Sequence, residues 1–321
     1  MPGRVRIGIS GWTYKGWRGK FYPSTLPHKK ELAYAASLFS SIEINGTHYS
    51  LQRPSSFLKW AEETPDDFVF SVKASRYITH MLKLRNVEAP LANFFASGLL
   101  ALGHKLGPIL WQFSPRFVFD AAKLDAFFSL LPRTAADAAA LARLHDSRLK
   151  GRAFTEPIGR SRPIRYAIEI RHDSFRSPEF IALLRRHRIA LVCADTVDWP
   201  RLMDLTADFV YCRLHGSEVL YTSGYSAADL DLWASRVATW ARGGEVPRNL
   251  IPGWPTQAPL GWDRQPNPAA RNDYASPTPA RRRTTRDVYV YFDNDAKVYA
   301  PADAQNLTTR VNALLNTANA A

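Results

Sequence analysis

Cysteine is almost absent from this chain: Cys193 and Cys212 are the only two in 321 residues. Two thiols set in apolar strand-like runs do not make a disulfide framework, and buried, reduced side chains are the expectation. Cys-x-x-Cys and His-Glu-x-x-His spacings are missing, so no ready-made zinc motif is present. No apolar run approaches the about 18 residues that suggest a membrane span. Met1 to Gly8 carries two arginines with no apolar core behind them, unlike a secretory leader. The expected location is therefore the reducing cytoplasm, with no membrane partner. There is no Walker-type phosphate loop, and Gly8-Ile9-Ser10-Gly11 is not the Gly-x-Ser-x-Gly nucleophile elbow.

Acidic residues are also scarce. There are 29 Asp and Glu against 42 Lys and Arg, a net charge of +13. Much of the excess is local. Residues 133–165 carry a net +5 and residues 242–287 a net +4, the latter including Arg281-Arg282-Arg283. Neither stretch has a clean apolar period, so both read as long arginine-rich connections. Such a charge excess invites a nucleic-acid partner, because phosphate neutralisation needs Lys and Arg. A merely solvated loop gives the same composition.

Hydrophobic residues make up 46% of the chain, enough for a large core at this length. Eight strand-like runs recur: Val5–Ser10, Ser41–Asn45, Phe68–Lys73, Ile109–Phe113, Tyr166–Arg171, Ala190–Asp195, Phe209–His215 and Val288–Asp293. Helix-like stretches lie between and after them, at 32–39, 54–63, 92–106, 124–131, 178–187, 227–241 and 302–315. Leu124, Phe127, Phe128 and Leu131 show the helical period. Alternating strands and helices imply a parallel sheet under helices. Eight units imply a closed eight-stranded β/α barrel of the TIM type, read as one domain over 1–321. A doubly wound open sheet is the alternative, but no glycine-rich dinucleotide fingerprint follows the first strand.

The strand ends carry polar pairs. Ser41-Ile42-Glu43-Ile44-Asn45, Ala167-Ile168-Glu169-Ile170-Arg171 and Tyr211-Cys212-Arg213-Leu214-His215 each place two polar residues two apart. Side chains alternate along a strand, so each pair shares one face. Ile44, Ile170 and Leu214 then face the helices, and the polar pairs face the barrel axis. Lys73, Gln112 and Asp195 end other strands, and Asn294-Asp295 follows the eighth. Active sites of such barrels lie at this end.

Several strings resemble the domain of unknown function seventy-two family, the YecE-like proteins. They are Gly8-Ile9-Ser10-Gly11-Trp12-Thr13-Tyr14-Lys15-Gly16-Trp17, Ile42-Glu43-Ile44-Asn45-Gly46-Thr47-His48-Tyr49, Phe70-Ser71-Val72-Lys73, Gly107-Pro108-Ile109-Leu110-Trp111-Gln112-Phe113, Glu169-Ile170-Arg171-His172, Arg213-Leu214-His215-Gly216 and Tyr291-Phe292-Asp293-Asn294-Asp295. The resemblance implies a TIM-type barrel and supplies no reaction. Asp293 departs from the family's more usual Phe-Asn-Asn or Phe-Asn-Asp. The barrel is similar in fold to those of sugar isomerases and apurinic-site endonucleases, which is analogy alone.

Three chemistries compete for the strand ends. Glu43, Glu169, Asp195, His215 and Asp295 have the donor types for a divalent metal, but Arg171 and Arg213 beside them would repel one, and no cofactor is predicted. Lys73, Arg171 and Arg213 would clamp a small phosphate- or carboxylate-bearing ligand, with Glu43, Glu169 and His215 as proton-transfer candidates. Asn45, Gln112, Asp195, Asn294, Tyr49 and Tyr221 would then orient it. Trp12, Tyr14, Trp17, Tyr49, Tyr221 and Tyr225 could instead stack on bases. The favoured expectation is acid–base chemistry on the small anion. Nucleic-acid binding or processing and non-catalytic metabolite binding are the alternatives. The sequence leaves the oligomeric state open.

Overall fold

The computed structural model describes residues 1–156, 159, 161–247 and 273–317. Eight strands close in sequence order into one all-parallel barrel. They are β1 (Val5–Ser10), β2 (Ser41–Ile44), β3 (Val69–Lys73), β4 (Leu106–Gln112), β5 (Tyr166–Glu169), β6 (Ala190–Asp195), β7 (Phe209–Leu214) and β8 (Asp287–Phe292). Helices α1 (Glu31–Leu38), α2 (Gly46–Tyr49), α3 (Pro54–Glu62), α4 (Glu88–Ala96), α5 (Ala121–Leu130), α6 (Ala135–Ala142), α7 (Pro178–His187), α8 (Ala227–Ala241) and α9 (Tyr299–Thr317) complete the units. The TIM-type reading holds and the open-sheet alternative falls. Among the described residues no helix is long and apolar enough to cross a membrane.

Two corrections concern local structure. The apolar stretch at 92–106 is not one helix. It breaks at Gly98, whose φ of 120° only glycine adopts without strain, and resumes as a 3-10 segment over Leu99–Lys105. The arginine-rich stretch at 133–165 is not simply a connection, because it contains α6. That helix buries only alanines, Ala135, Ala138, Ala139 and Ala142, which gave too weak a hydrophobic period to notice. Its start is fixed by a capping box between Thr134 and Asp137. Residues 157, 158 and 160 of this stretch, and 248–272 of the second one, lie outside the described residues.

The layers follow from strand alternation. Ile42, Ile44, Ile168, Ile170, Cys212 and Leu214 join the large core between barrel and helices. Leu110, Ala167, Ala190, Val192, Ala194, Tyr211 and Tyr291 pack together inside the barrel. Polar side chains cross this interior in pairs. Tyr291 Oη lies 2.6 Å from Ser41 Oγ and 2.7 Å from Ser71 Oγ, joining β8 to β2 and β3. Both cysteines are buried and unpaired by any disulfide.

Candidate functional site

Above that aromatic layer the barrel interior becomes ionic. Arg213, on β7, is fully buried and meets three carboxylates, two on β2 and β5 and one just after β8. Its Nη2 lies 2.9 Å from Glu43 Oε1 and 2.8 Å from Asp293 Oδ2, and its Nη1 lies 2.7 Å from Glu169 Oε2. Glu43 also accepts from Ser10 Oγ at 3.0 Å and Tyr211 Oη at 2.6 Å. Glu169 accepts from Gln112 Nε2 at 3.0 Å and Arg171 Nε at 2.8 Å. Every charge taken out of water here has a partner, the condition on which buried ions are tolerated.

The titration of the group follows. Burial alone would raise Glu169, but Arg171 and Arg213 overcome it and hold the carboxyl well below its usual range. Asp293 is likewise resisted by burial, yet Arg213 and then His215 bring it to about 2. Burial lowers His215 below 6.5, with Asp293 working against that shift. Its Nδ1 sits 3.1 Å from Asp293 Oδ2, and its ring lies edge-on to Trp199 and Tyr221.

Over this ionic floor opens a cavity of about 630 Å³. Residues after seven of the eight strands line it. Gly11 to Tyr14 follow β1; Asn45, His48 and Tyr49 follow β2; Lys73 ends β3 and Gln112 ends β4. Arg171 follows β5, Tyr221 lies beyond β7, and Asp293 and Asp295 follow β8. Trp60 of α3 closes one side. Tyr49 stands at the rim, 69% exposed.

Three titratable groups face this cavity in unusual states. Burial and then Arg213 lower Lys73 to about 8. Among the described residues no hydrogen bond or ion pair reaches its Nζ. Burial and then the neighbouring Asp293 raise Asp295 to about 6. Burial and then Lys73 lower His48 to about 3. Its Nδ1 lies 2.8 Å from the Ala74 carbonyl oxygen. A carbonyl only accepts, so Nδ1 carries the proton and Nε2 is left as an acceptor. Asn45 Oδ1 is buried at the cavity with no hydrogen-bond partner among the described residues.

The expected residues divide into three groups. Asn45, Lys73, Gln112, Arg171, Tyr49 and Tyr221 line the cavity. Glu43, Glu169, Arg213 and His215 converge as well, but beneath the lining, in the floor. Asp195 and Asn294 do not take part. Asp195 points out of the barrel, with Oδ1 2.6 Å from Arg201 Nη1 and Oδ2 3.2 Å from Trp233 Nε1 of α8. Asn294 Nδ2 is bound to the Ser223 carbonyl at 3.0 Å and to Asp303 at 2.8 Å.

Two of the expected stacking aromatics are also core. Trp17 is buried against Tyr14, Phe21 and Tyr22, and Tyr225 accepts from the Gly216 amide. The metal set loses Asp195 to Arg201, while Arg213 sits among its remaining carboxylates. Among the described residues no group of three or more His, Cys, Asp and Glu is placed to hold a metal ion.

Strand phase explains the misassignments. On β6 the inward residues are Ala190, Val192 and Ala194, so Asp195 must face outward. On β8 the inward series Tyr289, Tyr291 continues to Asp293, not Asn294. The same rule that selects Glu43 and Glu169 therefore rejects Asp195 and finds Asp293. His48 was out of its reach, because it lies on a helical turn, α2, where period two says nothing.

Comparison with known proteins agrees with this architecture. The model of the family described as protein of unknown function DUF72 matches residues 6–250. The UPF0759 protein YunF of Bacillus subtilis is 30% identical over 118 residues, which are 35% of this chain and 41% of YunF. The UPF0759 protein YecE of Escherichia coli K12 is 29% identical over 113 residues, 35% of this chain and 39% of YecE. The matched segment thus spans about two-fifths of each curated relative. A crystal structure of a DUF72 family protein from Thermotoga maritima superposes with a TM-score of 0.66 at 22% identity, covering 96% of this chain and 99% of that one. One from Enterococcus faecalis gives 0.64 at 16% identity, covering 96% and 95%. These likenesses show the fold alone. The family match covers most of the sequence, and the chain belongs to the DUF72 family.

Proposed function

We propose that this barrel is an enzyme that performs acid–base chemistry on a small phosphate- or carboxylate-bearing substrate bound at the C-terminal mouth. The observation that carries the reading is the Lys73 ammonium, at the cavity wall with no anion or acceptor on its Nζ among the described residues. A buried cation without a partner is costly, and a substrate anion relieves that cost. Arg171 supplies a second cationic contact, held in place by Glu169 at 2.8 Å and by Tyr221 Oη at 3.3 Å.

Proton transfer is assigned to Asp295 and Lys73, the lining groups whose values of about 6 and about 8 bracket neutral pH. Glu43, Glu169 and His215 become positioning residues. Glu169 already accepts from two arginines and Gln112, and acting as a base would break those bonds. Since Arg213 pairs with Glu43, Glu169 and Asp293 and Arg171 adds a second cation on Glu169, the reading calls for no metal. The two free, buried thiols favour a reducing compartment, which fits a cytoplasmic enzyme.

The test is a thermal-shift screen of phosphorylated and carboxylated metabolites, followed by kinetics on any hit. K73A is expected to raise KM at least tenfold. D295N is expected to lower kcat by about a hundredfold, the scale of one general acid or base. Binding should weaken as pH rises past about 8, where Lys73 loses its proton. Full turnover by both variants would overturn the assignment. A ligand that binds but is never turned over would make the protein a metabolite binder instead.

A further inference from the structure

The opposite end of the barrel is built differently. A cavity of about 920 Å³ opens there, beside Arg165, Arg188 and Asp208, which lie just before the first residues of β5, β6 and β7. Among the described residues its lining contains eight arginines and one aspartate, with no Phe, Tyr or Trp. Such a ratio is not the residue of a few unpaired surface charges. Like charges held together repel, and a fold retains them at a cost unless an anion joins them.

The arginines are arranged in three ways. Arg165 and Arg186 are paired with carboxylates, Arg165 with Asp287 at 2.7 Å and Arg186 with Asp125 at 2.9 Å. Arg133, Arg185 and Arg286 are fixed by backbone carbonyls instead. Arg133 donates to the oxygens of His187 and Phe128, Arg185 to those of Leu205 and Thr278, and Arg286 to those of Gly243, Gly244 and Arg281. A carbonyl orients a guanidinium without cancelling its charge. Arg188, Arg281 and Arg283 are exposed, and no hydrogen bond or ion pair reaches their side chains among the described residues. Arg286 adds a buried Nε with no partner among the described residues, and burial and then Arg283 lower its guanidinium below its ordinary value.

We propose that this N-terminal cavity is a second binding site, which takes a ligand carrying several phosphate groups. Guanidinium forks match phosphate oxygens in pairs, and several forks on one wall match several phosphates. Among the described lining residues the only ring is the imidazole of His187, so bases have little to stack on. The recognised chemistry is the phosphate itself, offered by a linear polyphosphate or by a nucleic-acid backbone. The site is independent of the chemistry at the mouth, and either can fail without the other.

The test titrates the full chain with inorganic tripolyphosphate by calorimetry and with a labelled single-stranded DNA oligonucleotide by fluorescence anisotropy. Both are run at about 50 mM and about 200 mM salt. The double variant R188Q/R283Q removes two unpartnered charges from the rim. K29Q/K30Q removes the same charge from exposed positions outside the lining. Tripolyphosphate is expected to bind, with R188Q/R283Q weakening it about tenfold and K29Q/K30Q less than twofold. If the oligonucleotide also binds, its log affinity should fall linearly with log salt, with a slope smaller by roughly 0.7 for each arginine removed. That outcome assigns the site to a nucleic-acid backbone; tripolyphosphate alone assigns it to a compact polyphosphate. No binding of either probe at the lower salt would overturn the proposal. So would equal losses in the two double variants.

Discussion

The two ends of this barrel both gather arginine, and they treat it in opposite ways. At the mouth Arg213 is fully buried and each neighbour that could repel it is offset by Glu43, Glu169 or Asp293. At the opposite end Arg133, Arg185 and Arg286 rest on backbone carbonyls, while Arg188, Arg281 and Arg283 remain in contact with solvent. The difference is one of dielectric. Water screens a cation at the rim, whereas an arginine in the barrel interior needs anions within hydrogen-bond distance. The ionic floor is therefore structural as much as functional, and the rim arginines are free to be functional alone.

Removing the central cation should break the contrast most severely. R213M leaves three carboxylates facing one another in a dry interior, and a loss of about 3–5 kcal/mol in chemical denaturation is expected. A loss below about 1 kcal/mol would mean that water enters the floor and that the two ends are alike.

Lys73 sharpens the comparison, being a buried cation of the cavity lining whose Nζ has no bonded partner among the described residues. Its value falls from 10.5 to about 8 on folding, so the unfolded chain binds its proton more tightly. The penalty is complete below pH 8 and disappears as pH rises from about 8 to 10.5. K73M should accordingly be more stable than the parent by about 3 kcal/mol at pH 7, taking 1.36 kcal/mol per pKa unit. That advantage should vanish towards pH 10.5. Equal stability at pH 7 would show that Lys73 is already neutralised in the empty protein.

Asp295 gives the mirror case. Raised from 3.8 to about 6, it binds its proton more tightly in the folded chain, and its penalty is present above pH 6 and gone below 3.8. D295N should gain over the parent at pH 7 and lose that gain on acidification through this window, read by denaturation at each pH. The smallest effect belongs to the rim. R188Q/R283Q should stay within about 0.5 kcal/mol of the parent, as exposed substitutions do. A larger loss would show that these side chains hold the fold rather than await a ligand.

Much of the architecture was legible because a β/α barrel writes itself in periods. The bounds of β1, β6, α7 and α8 are those read from the chain. Where the period was faint the reading failed. The alanine face of α6 carried too little hydrophobic contrast, and the break at Gly98 looked like one continuous apolar stretch. At the site, Glu43, Glu169, Arg213 and Lys73 were visible as polar residues in phase with an inward face. Asp195 and Asn294 were visible as polar residues too, but their phase put them on the other side.

The sequence by itself determined the eight strands, their closure and the inward polar tips, because each rests on local alternation and on the number of repeats. Only the tertiary structure decided which tips line the cavity and which lie beneath it. It also decided that one arginine pairs with three carboxylates and that eight others gather at the far end. Those outcomes depend on distances between residues as far apart in the chain as Glu43 and Arg213, and no local pattern encodes which charges share a dry interior.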